Sequence, residues 1–446
     1  MKRLSALLVP LTFAFSVPAA IAQPADTDTA RCAIGAYRLA DGRAVDIAPA
    51  GEGKLRWRQE DGTNGALAPA IDGKSWTSSL GRTGRADGKT LHFDCAAGSI
   101  DFAGTPGQRI GLDVIETRFA VEGAELAGRL ILPKGSGPVP IVVLIHGAEP
   151  ISAREAYSLQ RQFPAAGIGA FVYDKRGTGA SSGRYSHDYL VLATDAVRAA
   201  AEAWRLAGRR TGAIGYQAGS QGGWVAPLAA KIAPVDFVIV SFGLAVSPIA
   251  AERESLLDDA RRLGGAALVA PATEIADAIA ATLESGFRDS ERNMTPVRAK
   301  YGAEPWFGRI GGDFTRFMLT APIETLRDKG PGLIPNIPLR YDPMPVLRNL
   351  DTPQLWILAA EDRDAAPGET SARLAGLTRE GKPISTAIFP GAEHGMQLFE
   401  TAADGTRLST RQPAGYFPLM RDFIRRRRIA SVNAYGAVAP PAPKGN

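Results

Sequence analysis

A serine hydroxyl becomes a nucleophile when a histidine takes its proton and a carboxylate orients that histidine. The stretch "GYQAGSQGGW", residues 215–224, places Ser220 among small residues, after the apolar run "TGAIGYQ" and before "GGWVAPLAAKI". A strand, a sharp turn and a helix in that order would stand the hydroxyl clear of the backbone. Ala218 and Gly222, two before and two after the serine, are small enough to allow the turn. The helix N-terminus would aim free N–H groups at the same place. The chain has four histidines, His92, His146, His187 and His394. Of these, His394 in "FPGAEHGM" lies in a loop directly after a late apolar run and near the C-terminus. The acid should follow another late strand. There "LWILAAEDRDAAP" offers Glu361, Asp362 and Asp364. Asp362 is the first choice, Asp364 its rival and Glu361 the third. The chemistry implied is acyl transfer through a covalent intermediate, with chain order Ser220, Asp362, His394.

Those residues need a scaffold that brings distant segments together. From about residue 115 apolar runs alternate with helical stretches: "IVVLIHG", "IGAFVYDKRG", "TGAIGYQAGS", "FVIVSFG", "PQLWILAAED" and "ISTAIFPG". Continuous apolar runs bounded by glycine suit strands buried on both faces of a mostly parallel sheet. The intervening "VLATDAVRAAAEAWRLA" and "GGWVAPLAAKIA" carry helical spacing. The fold class is therefore α/β. About a hundred residues of helical pattern separate "SFG" from "PQLWI", too many for a loop, and read as an inserted lid over about 245–343. Residues 23–112 read instead as a small all-β domain. Asp41-Gly42, Asp61-Gly62, Asp72-Gly73 and Asp87-Gly88 punctuate it at hairpin spacing. The main domain then runs over 113–430, and the Pro/Ala/Gly-rich 431–446 reads as a disordered tail.

The composition, 45% hydrophobic and 22% charged over 446 residues, is that of an ordinary globular protein. "MKRLSALLVPLTFAFSVPAAIAQ" has a basic start, an apolar stretch and Ala20-Ile21-Ala22, the pattern of a secretory signal over residues 1–22. Export to the periplasm or the medium is expected, with no stable membrane insertion once the signal is cut. Losing Lys2 and Arg3 lowers the net charge from +5 to +3, so no nucleic-acid partner is expected. The four arginines at 425–428 read as a surface feature at the end of a last helix. In an oxidising compartment Cys32 and Cys95, the chain's two cysteines, most simply pair. Closing that loop would stabilise the domain by roughly 4 kcal/mol.

With these residues in view, segment 117–428 resembles the α/β-hydrolase superfamily. It is most similar to exported bacterial esterases grouped with serine-aminopeptidase-like hydrolases. The stretches that carry the resemblance are "LIHG", "YDKRGTGASSG", "GSQGGW", "YDPMPVLRNLDTPQLWILAAED" and "PGAEHG". It implies an oxyanion hole from the backbone N–H groups of Ala148 and Gln221. The sequence departs from the family at Ala218, where glycine is usual, and at Ala148-Glu149-Pro150, where relatives often have Ser-Gly-Pro. Glu149 would bring a negative charge beside the oxyanion.

The reading is an exported serine hydrolase for small to medium carboxylic esters that calls for no metal or cofactor. A peptidase acting on short peptides is the alternative, for which Glu254 and Asp258, four apart on a helix, could take a free amino terminus. A thioesterase and a non-catalytic binding protein on the same scaffold are further readings. The binding protein would show one triad member misplaced in space. Asp174, Lys175 and Arg176 are expected to brace the loop beside the site, and Trp224 and Trp306 to line an acyl pocket or the core.

Overall fold

The computed structural model describes residues 27–51 and 53–441; the segment read as a signal peptide lies outside them. Eight antiparallel strands, β1 (Gly35–Leu39) through β8 (Thr105–Arg109), close into a barrel in which β1 pairs with β8. Alternate residues point inward along each strand. The core so formed holds Tyr37, Leu39, Ile47, Trp57, Trp76, Leu91 and Phe102. Cys32 and Cys95 form a disulfide, joining the segment before β1 to the barrel. Asp87-Gly88, read as a hairpin turn, instead lies within β6 (Ala86–Asp94), opposite a register shift between Thr77 and Ser79. The bulge absorbs the turn-like dipeptide without ending the strand.

The second sheet comprises β9 (Leu112–Val121), β10 (Ala124–Pro133), β11 (Val139–Ile145), β12 (Gly169–Tyr173), β13 (Thr211–Gly219), β14 (Phe237–Ser241), β15 (Gln354–Ala359) and β16 (Ile384–Phe389). Their spatial order is β16-β15-β14-β13-β11-β12-β10-β9. The six strands from β11 onward are parallel, and β9 and β10 add an antiparallel edge. Every residue of β12, β14 and β15 is buried, as strands covered on both faces require. One face packs on the helices Tyr189–Ala207, Gly222–Ile232 and Pro367–Arg379. The other packs on Leu159–Ala165 and Tyr416–Arg426. The chain leaves β11 for β12 on one side and returns to β13 on the other, so a crevice opens where β11 and β13 end, the usual place for a ligand.

Between β14 and β15 the chain forms a group of helices with its own core of Leu256, Ile275, Ile279, Phe287, Met294, Met318 and Leu326. Within it Pro248–Glu284 has the length and mean hydropathy, 1.4, of a membrane span. It breaks at Gly264-Gly265 into two helices that pack on one another. After β16 comes a three-stranded sheet of β17 (Ala392–Glu393), β18 (Gln397–Thr401) and β19 (Arg407–Arg411). Of residues 431–446, read as a disordered tail, 442–446 lie outside the described residues, whereas Val432–Tyr435 form a short helical turn and Val438 bridges to β16 of the main sheet. Val438 exchanges two backbone hydrogen bonds of 2.8 Å with Ile388, and Tyr435 donates to Asp422 at 2.9 Å. β16 is an edge strand with open N–H and C=O groups, and pairing them outweighs the low propensity of the segment.

Candidate active site

Ser220 follows β13 and precedes the helix Gly222–Ile232, with φ at +52°. A non-glycine residue in this region carries strain that the surroundings must hold. They do so through its N–H, which donates to the Ser241 carbonyl at 3.0 Å, and its carbonyl, which accepts from Gly223 N–H at 2.8 Å. Ala218 fits because residue 222 is glycine. A Cβ there would stand 2.8 Å from the Ala218 methyl and 3.0 Å from the His146 carbonyl.

The structure brings Ser220, His394 and Asp362 into one line. His394 Nε2 lies 3.1 Å from Ser220 Oγ, and Nδ1 lies 3.1 and 2.9 Å from the two Asp362 oxygens. Asp362, fully buried, also accepts the N–H groups of Asp364 at 3.0 Å and Ala365 at 2.7 Å. Phe242 backs the imidazole edge-on at 5.0 Å between ring centres. Burial alone would lower the His394 pKa. The Asp362 charge and hydrogen bond, with Asp364 and Glu149 nearby, outweigh it and push it up to about 9. The other site histidines go the other way. His146 is pushed down to about 3, and His187 to about 4, in both cases by burial first and the Lys175 charge second. Of the three acids offered by the sequence, Asp362 meets the ring, Asp364 has a carboxylate oxygen within 4.8 Å of a ring nitrogen, and Glu361 pairs with Arg262 at 3.3 Å.

Asp362, Asp364 and His394 also place potential ligand atoms within 4.8 Å of one another. Both imidazole nitrogens are engaged with Ser220 and Asp362, so a cation there would have to break that line.

Ala148 and Gln221 stand just beyond the ends of β11 and β13, which are hydrogen-bonded neighbours with Ile145 opposite Ala218. Gln221 is the N-cap of the helix Gly222–Ile232, so its N–H is among the first four that have no partner within the helix. The Ala148 loop is held from three sides. Lys175 Nζ donates to the Gly147 carbonyl at 2.8 Å, Tyr185 OH donates to the Ala148 carbonyl, and Gly147 N–H donates to Tyr157 OH at 3.3 Å. Tyr157 in turn donates to Glu149. Lys175, pulled down to about 8 by burial, is thus a brace. Asp174 accepts from Ser152 at 2.7 Å and Ala180 N–H at 3.0 Å, so Asp174 and Lys175 hold the Ala148 loop. Arg176, paired with Asp195 at 2.6 Å, ties its own loop to the helix Tyr189–Ala207.

No family model matches the chain, and no curated protein matches it in sequence. Solved structures do match it in shape. The acylaminoacyl peptidase of Pyrococcus horikoshii superposes on 87% of this chain and 58% of its own, at TM-score 0.45 and 16% identity. Proline iminopeptidase of Mycobacterium smegmatis covers 70% of this chain and 98% of its own, at 0.44 and 14%. A thermophilic esterase of Thermogutta terrifontis covers 71% and 100%, at 0.39 and 19%. The chain therefore spans less than two thirds of the length of the first of these. The strand order and the turn at Ser220 decide the architecture. The chain has the α/β-hydrolase fold.

Within that fold, two residues offered for an acyl pocket serve packing. Trp224 stacks on Tyr189 at 5.0 Å and donates to the Val246 carbonyl at 2.7 Å, and Trp306 packs with Tyr301 and Phe307 inside the lid. Glu254 accepts the Glu369 N–H at 2.5 Å, and Asp258 pairs with Arg261 at 2.7 Å. Tyr157 and Tyr185, which tie the Ala148 loop, were not singled out in the sequence. They are spaced at no fixed interval from the serine, so no pattern pointed to them.

Proposed function

We propose that the chain is an exported serine hydrolase that cleaves carboxylic esters through an acyl-enzyme. In this reading Ser220 Oγ attacks the ester carbonyl while His394 Nε2 takes its proton, and Asp362 holds the imidazole in the tautomer that can accept it. The N–H groups of Ala148 and Gln221 receive the negative charge on the carbonyl oxygen, at about 3–4 kcal/mol of transition-state stabilisation each. His394 then gives the proton to the leaving alcohol. A water attacks the acyl-enzyme by the same route and frees the acid. The observation that carries the reading is the unbroken chain Asp362–His394–Ser220 at 2.9 and 3.1 Å, with the serine on a strained turn. A binding protein on this scaffold would tolerate a displaced member of that chain.

Export is supported by the N-terminal pattern and by the Cys32–Cys95 disulfide, a bond favoured in oxidising compartments. Esters are set ahead of peptides because Asp258 pairs with Arg261 and one Glu254 oxygen accepts the Glu369 N–H, while the other Glu254 oxygen is buried without a hydrogen-bond partner. One observation favours the peptidase reading. Glu252 on the lid helix has its carboxyl raised to about 7, by burial first and with the Asp364 charge contributing, and a bound ammonium group would relieve that. A panel of p-nitrophenyl acetate, p-nitrophenyl butyrate and alanine p-nitroanilide separates the two. Turnover of the esters with the anilide at least a hundredfold slower supports the esterase, and the reverse order supports the peptidase.

A further inference from the structure

His394 opens the turn that joins β17 to β18, where Glu393 faces Gln397. Gly395 and Met396 follow at φ +74° and +58°. The direction of the imidazole therefore depends on how firmly this short turn is tied. Its Gly395 carbonyl accepts two side-chain amides, from Gln397 at 3.0 Å and from Gln412 at 3.3 Å. Gln397 belongs to the hairpin itself. Gln412 comes from just beyond β19 and is buried.

That segment is one of the places where the barrel touches the main domain. Gln412 N–H donates to the Gly62 carbonyl at 2.9 Å and Arg82 N–H donates to the Ser409 carbonyl at 2.7 Å. Arg411 donates to the Asp61 carbonyl at 2.6 Å, and Arg85 forms a two-point pair with Glu400 at 2.8 and 2.9 Å. Two barrel turns leave no room at this seam. A Cβ on Gly62 would lie 2.3 Å from the Gln412 carbonyl oxygen, and one on Gly81 2.2 Å from that of Ser409. The gripped strand also reaches both other parts of the site. Arg407 of β19 donates to the Glu361 carbonyl at 2.8 Å, one residue before Asp362, and pairs with Glu393 at 3.3 Å, one residue before His394.

We propose that the barrel is a clamp that positions His394. It fixes β19 and, through Gln412, the Gly395 carbonyl, so that the turn holds the imidazole between Asp362 and Ser220. Gln412 touches no reacting atom and is a positioning residue. The proposal rests on the acyl-transfer reading, since its readout is that activity. A catalytic group displaced by about an ångström loses up to about a hundredfold in rate.

The test uses the full mature chain. Separate samples of wild type are first labelled with a fluorophosphonate and, without it, assayed on p-nitrophenyl acetate. An inert wild type removes the acyl-transfer reading itself, whereas an active one isolates the clamp. Gln412→Ala is then expected to lower kcat about 10- to 100-fold with KM changed less than about twofold. Gly62→Ala, acting from the barrel side, is expected to show the same split. Circular dichroism and the thermal midpoint show whether each variant is folded. If neither is, the exposed Arg85→Ala takes their place, with kcat expected to fall about two- to fivefold at unchanged KM. Folded variants whose kcat stays at the wild-type value, or whose loss is in KM, overturn the proposal.

Discussion

Asp362 offers both carboxylate oxygens to His394 Nδ1, at 3.1 and 2.9 Å, while its own loop donates two N–H groups to Oδ1. The carboxylate is anchored and cannot turn away from the ring. Asp362→Asn keeps the shape and offers an amide in place of the charge, which favours the wrong imidazole tautomer. It should lower kcat by about 10⁴-fold with little change in KM. Asp364→Asn, which leaves the hydrogen bonds of the ring intact, should lower kcat by less than about tenfold. Steady-state rates on one p-nitrophenyl ester decide between the two acids.

A His394 pushed up to about 9 is protonated at neutral pH and must lose that proton to act as base. Activity should therefore rise with pH and reach half its plateau near pH 9, well above the ordinary histidine value near 6.5. The sign for stability is opposite. The raised pKa stabilises the fold fully below about pH 6.5, and that contribution is lost between there and about pH 9. A pH series of kcat/KM and of the thermal midpoint measures both.

Glu149 adds to the same field from the loop that carries Ala148. Its negative charge raises His394 and opposes charge building on the carbonyl oxygen. Glu149→Gln should move the pH midpoint downward and raise the neutral-pH rate on uncharged esters about two- to tenfold. A lower rate with an unmoved midpoint would show that its bond from Tyr157 matters more than its charge.

The candidate site was legible in the sequence where chemistry and strand ends coincide. Ser220, Asp362 and His394 each follow an apolar run, so type and position pointed the same way. Asp362 and Asp364 could not be separated there, because both follow β15 and which of them meets the ring depends on the backbone turn between them. The barrel's closure and its seam with β19 were not legible. Gly62 and Gln412 are 350 positions apart and their bond is backbone to backbone, which leaves no trace in residue type. The tail failed for a related reason. Its composition argues for disorder, while the open edge of β16 supplies the partner that Val438 takes.

The barrel and the main domain share a buried ion pair. Arg161 meets Asp46 at 2.5 Å, with Asp46 2% exposed. Arg56 and Arg58 lie near the same carboxylate, Arg56 held down to about 10 by burial and the Arg58 charge. Asp46→Ala leaves buried cations without their anion and should cost about 3–5 kcal/mol. Asp46→Asn, which still accepts hydrogen bonds, should cost less. Urea unfolding followed by fluorescence compares them.

The most direct test is the intact mass of the mature protein after exposure to a fluorophosphonate, with Ser220→Ala alongside. One phosphonyl adduct is expected on wild type and none on the variant. A folded wild type that gains no adduct, or a Ser220→Ala protein that gains the same one, would contradict the serine-hydrolase proposal.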